Sequence, residues 1–417
     1  MTLTINPMSV DYDLVILGDT DAARWAATTA AQFHARVALV GQQQYRSPVP
    51  GFSKVMAVES TAALADLGVD VVAADGSFVR KPSLHVQTAE RMLRSRRYLL
   101  ALAPPSQRPN PDYLTVEEAD AIALSATHTE WLIIGDGPTA VQLSQALAKQ
   151  DHAVTLATSA QLLPVEEPET AILIQAHLEA DGVRLLTHTS PLNQNSRLEW
   201  GLSPSTKIVW AQDRNVAPSP MLEALGLTHS ERGLWVDEHL RTSHPRIYAC
   251  GSMLGGYNLP HIARYEAHLA VKNALFLPIH TINYDALPWA ILTEPALARV
   301  GLTTAQAQDR YDHVNVFSKT YKLLESAHRH GQPTGLCQLV TRDNNILVGA
   351  HLVGTAAAEM IHPLALAVQQ QQTIQEIANW PMIASTFSEI IHQTVQVPHP
   401  NPGVLEWLFD RRRRWNL

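Results

Sequence analysis

Twice along the chain a short apolar run ends in glycine, gives way to a stretch with helical spacing, and is followed by a second apolar run. The clearer case is WLIIGDGPTAVQLSQALAKQDHAVTLAT, Trp131 to Thr158. Trp131 to Ile134 suits a buried parallel strand, and Gly135-Asp136-Gly137 lets the backbone turn sharply enough to bring helix N–H groups to a pyrophosphate. In the following helix Val141, Leu143, Ala146 and Leu147 approximate helical spacing. Ala140 holds the third small-residue position, where helix and strand approach closely. With Ala153 to Leu156 as second strand, the pattern predicts a dinucleotide-binding βαβ unit; a purely structural unit of the same shape is the alternative.

Asp13 to Gly41 repeats the plan, with strands Leu14–Leu17 and Val37–Val40 around an alanine-rich helix. Two such units suggest two nucleotide-type domains. The chemistry of the first is altered. It reads Gly18-Asp19-Thr20-Asp21-Ala22-Ala23, so Thr20 stands at the second glycine position and its Cβ obstructs a pyrophosphate. Asp19 and Asp21 add negative charge there. The second strand ends in Gly41, where a carboxylate would accept ribose hydroxyls.

Between and after these units the pattern gives shorter elements. Residues 42–53 are polar and proline-rich, hence loop; Lys54 to Leu67 reads as a short helix, Val69 to Val79 as strand and turn, and Tyr98 to Ala103 as a strand closed by Pro104-Pro105. Pro168 to Leu186 reads as helix then strand, and Lys207–Trp210, Leu234–Val236 and Ile247–Ala249 as extended pieces. The second half of Gly251 to Leu275 is helical. From Leu287 onward Ala296–Gly301, Gly335–Thr341 and Ile346–Val353 read as sheet, and Ala356–Gln370 and Ile374–Trp380 as helices, an α+β arrangement.

At 417 residues the chain has room for two or three domains. Its net charge of −8 without basic clustering argues against nucleic acid as a partner. The exception is the basic RRRR near the C-terminus. No long uncharged apolar run and no signal-peptide layout is present, so a soluble cytoplasmic protein is expected. The two cysteines, Cys250 and Cys337, lie far apart and outside any CxxC or Cys/His cluster, which suggests buried free thiols. The histidines show no metal-ligand spacing.

Taken together, the order of the two βαβ units, HPRIYACGSM leading into HIARYEAHLAVKNAL, and the phrases LTEPALARVGLTTAQA and ILVGAHLVGTAAAEMIHPLALAVQQQQTIQEIA resemble the pyridine nucleotide-disulfide oxidoreductases. This is the flavoprotein family of dihydrolipoamide dehydrogenase, glutathione reductase and mercuric reductase. The resemblance implies an α/β fold: two Rossmann-like dinucleotide-binding domains, an NAD-type domain inserted in an FAD-type domain, and a C-terminal α+β dimerisation domain. The implied boundaries are 1–125 and 216–286 for the FAD-type domain, 126–215 for the NAD-type domain, 287–400 for dimerisation, and 401–417 for an amphipathic basic tail. A homodimer is implied.

The resemblance carries departures. Where the family has a C-x-x-x-x-C dithiol followed by Pro-Ser-Lys, this chain has Tyr45 and Pro50, then Ser53 and Lys54, so thiol–disulfide exchange by that route is excluded. Where the family's partner-donated His-Pro-Thr-x-x-Glu base would stand, the chain has Ala384-Ser385-Thr386-Phe387-Ser388-Glu389; Glu389 is then expected to be a structural hydrogen-bond partner. The family's ribityl-binding Gly-Asp is Gly251-Ser252, and its Ala-Thr-Gly turn is Ala101-Leu102-Ala103. Losing two charged contacts, each worth roughly 1.5–3 kcal/mol, would weaken FAD by about two to four orders of magnitude. In the NAD-type unit Gln142 replaces an acidic residue expected to pair with the flavin-side lysine, Lys54. Thr158 replaces the ribose carboxylate, and no arginine is near to favour a 2′-phosphate, so NAD(H) is preferred to NADP(H).

Candidate cofactor contacts are therefore Gly18, Ala22, Ala23, Lys54, Gly251 and Ser252 toward FAD, and Gly135, Gly137, Ala140 and Gln142 toward NAD(H). No catalytic residue and no metal ligand is assigned. Two functions are expected to compete. One is a dithiol-free NAD(H)-linked oxidoreductase, not a disulfide reductase; the other is an inactive dimeric binding or assembly module. The tail, with Leu405, Trp407, Leu408 and Phe409 before its basic block, is expected to pack on its own domain or to contact a partner or membrane surface.

Overall fold

Strands that are apolar at every position need cover on both faces, and the first sheet has it. Its strands are parallel and ordered Ile247–Ala249, Ser95–Leu100, Tyr12–Leu17, Val37–Val40, Asp70–Val72. Leu14 and Ile16 face a layer holding helices Asp21–Gln32 and Pro260–Leu275. Val15 and Leu17 face the opposite layer, with Val86, Leu93, Leu222 and Leu225. That layer holds a small antiparallel sheet of Ser77–Val79, His85–Gln87 and Met92–Leu93.

The computed structural model describes residues 10–42, 60–81, 83–103, 108–123, 128–189, 199–212, 220–230, 233–256 and 259–396. The chain divides into two compact units, Met1–Thr293 and Glu294–Leu417. The first unit contains a second parallel sheet, ordered Arg184–Leu186, Ala153–Ala157, Glu130–Ile134, Lys207–Trp210. It is built from chain lying between two strands of the first sheet, because Ile247–Ala249 returns to pair with Ser95–Leu100. Leu132, Ala157 and Ile208 pack with Tyr113 and Leu202 on one face.

In the second unit the strands from Ala296 onward are antiparallel, in the order Ala296–Gly301, Ile346–Gly354, Leu336–Arg342, Asn315–Thr320. Helix Ala357–Gln369 packs on the first two of them. Tyr321 is fully buried, and Gly335 and Gly354 both lie against its ring, where a Cβ would come within about 2.5 Å. Thr303 and Thr373 start short helices with capping boxes closed by Gln306 and Glu376.

Most predicted elements are present within a residue or two. Several were not anticipated: Asn315–Thr320, the small antiparallel sheet, and helices Val116–Ala123, Pro220–Leu225 and Glu389–Val395. Residues 43–59, Pro104-Pro105 and residues 397–417 lie outside the described residues, and with them Tyr45, Pro50, Lys54 and the basic tail. Among the described residues no helix is long and apolar enough to cross a membrane, and no cluster of His, Cys, Asp and Glu is placed to hold a metal ion.

Candidate functional site

The first helix, Asp21–Gln32, is preceded by Gly18, whose φ of +127° is reserved in practice for glycine. A Cβ there would overlap the carbonyl oxygen of Ala101. Thr20 is the N-cap: its Oγ1 accepts from the Ala23 N–H at 3.2 Å and donates to the Ala101 oxygen at 2.7 Å. One of the N–H groups that a pyrophosphate would use is thus satisfied by the chain itself.

Negative charge at this loop is smaller than the sequence suggests. Arg24 clasps Asp19 through Nε at 2.7 Å and Nη2 at 2.9 Å, with both side chains less than a tenth exposed. The expectation that Asp19 adds open charge is corrected by that pair, which takes both its oxygens. Asp21 has its carboxyl raised by burial, partly offset by Arg24. Gly41 is not simply a missing carboxylate. A Cβ there would stand 2.9 Å from the Asp19 nitrogen and the Gly18 carbonyl carbon, so the glycine loop occupies the space a side chain at 41 would enter.

The second helix, Pro138–Ala148, begins differently. Its N-cap is Gly137, no side chain caps it, and Pro138 stands in its first turn, where proline lacks only a donor that the helix does not use. The first-turn N–H groups have no intrahelical acceptor and Gly137 offers them no side chain, at the positive end of the helix dipole. Gly135 lies tight against the Ala211 carbonyl and the Ala140 Cβ, 2.5 and 3.0 Å from an added Cβ. Gln142 is buried; its Oε1 accepts from the Leu292 N–H at 3.1 Å and its Nε2 donates to the Pro138 carbonyl at 3.3 Å. Its pairing with Lys54 lies outside the described residues. Thr158 donates to the Ala160 carbonyl at 2.6 Å and accepts on its own carbonyl from Thr189.

Between the first sheet and its helices, Gly251 follows Cys250 with φ +78° and opens the single turn Gly251–Leu254 that carries Ser252. A Cβ on Gly251 would stand 3.0 Å from the Ala22 Cβ, so this turn abuts the first turn of helix Asp21–Gln32. The Gly251 N–H donates at 2.7 Å to Glu266 Oε2, and Tyr284 donates at 2.8 Å to Glu266 Oε1. Burial pushes the Glu266 carboxyl up to about 7, against the lowering effect of those two donors. Neither Glu266 nor Tyr284 was singled out from sequence; the only signal is an acid inside the apolar stretch of HIARYEAHLAVKNAL.

Cys250 and Cys337 are both fully buried free thiols, and burial raises both, Cys337 to about 12. Within the second unit, Ser385 has φ +58° and is held on every side. Its N–H donates to Glu389 Oε2 at 3.1 Å, its Oγ donates to Glu325 at 3.1 Å, and its carbonyl accepts from Arg329 at 2.5 Å. Glu389 does serve as a hydrogen-bond partner for its own loop. The exposed His330 lies against Phe387, ring centres 5.4 Å apart.

Residues 12–267 match the family model described as pyridine nucleotide-disulphide oxidoreductase, and residues 287–395 match that family's dimerisation domain. The chain belongs to the pyridine nucleotide-disulphide oxidoreductase family. Among its relatives, a dihydrolipoyl dehydrogenase of Bacillus subtilis is 26% identical over 67% of this chain and 64% of its own length. A mercuric reductase of Bacillus cereus is 26% identical over 75% of this chain and 52% of its own length. The chain therefore spans about half to two thirds of these relatives. By structure it is similar to LpdA from Mycobacterium tuberculosis, with TM-score 0.75, 19% identity and coverage of 92% and 99% of the two chains. It is similar also to the Cu(II) complex of the HOCl-induced flavoprotein disulfide reductase RclA from Escherichia coli, with TM-score 0.76, 17% identity and coverage of 91% and 99%.

One expectation is overturned by this. The replaced side chains leave enzymatic activity open and set disulfide reduction aside, whereas the family is that of the pyridine nucleotide-disulphide oxidoreductases and its members include a dihydrolipoyl dehydrogenase and a mercuric reductase. A local reading of a few replaced side chains weighed more in that exclusion than the likeness of the whole chain allows.

Proposed function

We propose that the chain is a homodimeric, pyridine-nucleotide-linked oxidoreductase of its family, with NAD(H) at the second lobe and FAD at the first. The observation that carries this is the uncapped helix turn at Gly137-Pro138, preceded by a strand and by the tightly packed Gly135. Gly135, Gly137 and Ala140 form the backbone cradle for the nicotinamide dinucleotide, and Gln142 is tied to Leu292 behind it. Thr158 spends its hydroxyl on Ala160 and has no arginine in the adjoining sequence, which favours NAD(H) over NADP(H).

For FAD the first lobe offers Gly18, the start of helix Asp21–Gln32 at Ala22 and Ala23, and the Gly251-Ser252 turn, with Lys54 outside the described residues. Gly18 and Gly251, both at positive φ and the second set against Ala22, fit a dinucleotide; the self-capped Thr20 and the filled space at Gly41 make the fit loose. When bound, the flavin supplies hydride acceptance and one- or two-electron transfer. The chain's residues supply backbone donors and orientation.

The same Thr20 cap and Gly41 contact support a second reading, a dimeric binding or assembly module that has given up its flavin. Purified protein distinguishes them. A yellow preparation absorbing near about 450 nm and bleached by NADH supports the oxidoreductase. A colourless dimer that cannot be reconstituted with FAD supports the module. The acceptor is then read from an NADH-oxidation assay run side by side with a disulfide, a quinone and a metal-ion substrate.

A further inference from the structure

We propose that Glu266 is a positioning residue of the first lobe: clamped by Tyr284, its carboxyl holds the Gly251-Ser252 turn against the start of helix Asp21–Gln32 and so sets the affinity for a flavin dinucleotide. The inference rests on the reading that this lobe takes FAD.

The strand Ile247–Ala249 delivers the chain to Cys250, and the next residue must reverse direction within van der Waals reach of Ala22. Gly251 can do so because it has no side chain, yet its freedom has to be removed for the turn to be a fixed wall. Glu266 removes it. Its oxygen lies 2.7 Å from the Gly251 nitrogen, across fifteen residues of sequence, on the buried face of helix Pro260–Leu275. Tyr284, in the short turn after that helix, fixes the other oxygen at 2.8 Å. A carboxyl in an apolar layer has no structural need to be acidic, and the residues around it on that face, Ala263, Ala267 and Ala270, are small and apolar. Its two donors, one of them the backbone of the candidate ligand turn, are the reason it is there.

Because burial pushes this carboxyl up to about 7, it changes charge near neutrality behind a wall that would face the polyanionic cofactor. The ionised form adds repulsion, so affinity falls as pH rises through about 7. Other groups on the surrounding elements are Cys250 and Tyr284, both raised by burial and by Glu266, and Tyr265 near Tyr284. On the neighbouring helix stand Asp21 and the Asp19–Arg24 pair. Glu266's own helix carries His261, Arg264, His268 and Lys272, and burial holds His268 below its ordinary value. Replacing Glu266 alone separates its contribution from theirs.

The test is FAD affinity of the full-length protein between pH 6 and pH 8 for wild type, Glu266→Gln, Glu266→Ala and Tyr284→Phe. A glutamine amide can still accept from Gly251 and donate to Tyr284, so it keeps the clamp and removes the charge. Expected are a roughly ten-fold fall in wild-type affinity across the range, a flat profile for Glu266→Gln, and an about ten-fold loss at every pH for Glu266→Ala. Tyr284→Phe shifts the wild-type profile and retains binding. Glu266→Ala binding as tightly as wild type overturns the inference, and a Glu266→Gln profile parallel to wild type overturns its pH dependence. Should Glu266→Ala fail to fold, a Tyr284→Phe profile unshifted from wild type overturns the inference. Wild type that takes up no FAD at any pH overturns the first-lobe reading itself, and the inference with it.

Discussion

The two parallel-sheet lobes of the first unit start from one plan, strand, glycine, helix, strand, and differ at the first turn of the helix. In the first lobe Thr20 closes the helix with its own hydroxyl and Arg24 closes the charge of Asp19. In the second lobe Gly137 leaves the turn without a side-chain cap, and Gly135 packs hard beneath it. A helix N-terminus has orphan donors that something must satisfy. The first lobe satisfies part of them with its N-cap side chain and gains stability from it; the N-cap residue of the second lobe offers no such acceptor. The lesson is that a glycine-to-threonine change at such a position removes room and also supplies a competing acceptor, so it is both steric and electronic.

The comparison can be broken most severely at Arg24. Arg24→Met leaves the Asp19 carboxylate buried without its partner and should cost about 3–5 kcal/mol in denaturant unfolding. A cost below 1 kcal/mol would show that Asp19 reaches water and that the loop charge is open after all.

Next in size is a pH effect confined to the first lobe. The folded Glu266 carboxyl is raised to about 7 from an ordinary 4.5, so its protonated form is favoured by folding. Its contribution is complete below about 4.5 and is lost as pH rises toward 7, a swing of roughly 3 kcal/mol. The stability of wild type relative to Glu266→Gln should therefore fall over that window in urea unfolding. A constant difference would place the carboxyl in solvent.

A reciprocal exchange sharpens the comparison further. Gly137→Thr should give the second lobe the first lobe's cap, raising stability by a few tenths of a kcal/mol while weakening NADH about ten-fold or more by fluorescence titration. Thr20→Gly should lower stability by about 1 kcal/mol and tighten FAD. The smallest effect belongs to Thr158→Val. Loss of its bond to Ala160 should cost about 1 kcal/mol with NADH affinity unchanged, since that hydroxyl is already spent within the loop.

Much of the fold was legible because parallel strands buried on both faces leave unbroken apolar runs. Val37–Val40 and Lys207–Trp210 stand where the pattern puts them, and so does Ala296–Gly301, an antiparallel strand buried along most of its length. Asn315–Thr320 was missed because it is largely exposed and carries polar residues at most positions; only its pairing with Leu336–Arg342 makes it a strand. The strands around His85–Gln87 are two or three residues long, too short to show a period. At the site, the glycines were legible from their spacing. The charge balance was not, because Asp19 meets Arg24 only through the geometry of the loop. Glu266 was invisible because its partner Gly251 is fifteen residues away and the bond uses backbone, which leaves no mark in side-chain pattern.

The most direct measurement is the NADH affinity of purified full-length wild type, Gly137→Thr and Thr20→Gly, titrated in parallel under one buffer. The account predicts that wild type and Thr20→Gly bind alike and that Gly137→Thr is weaker by at least about ten-fold. Equal affinity in Gly137→Thr and wild type, or loss of NADH in Thr20→Gly, would contradict it.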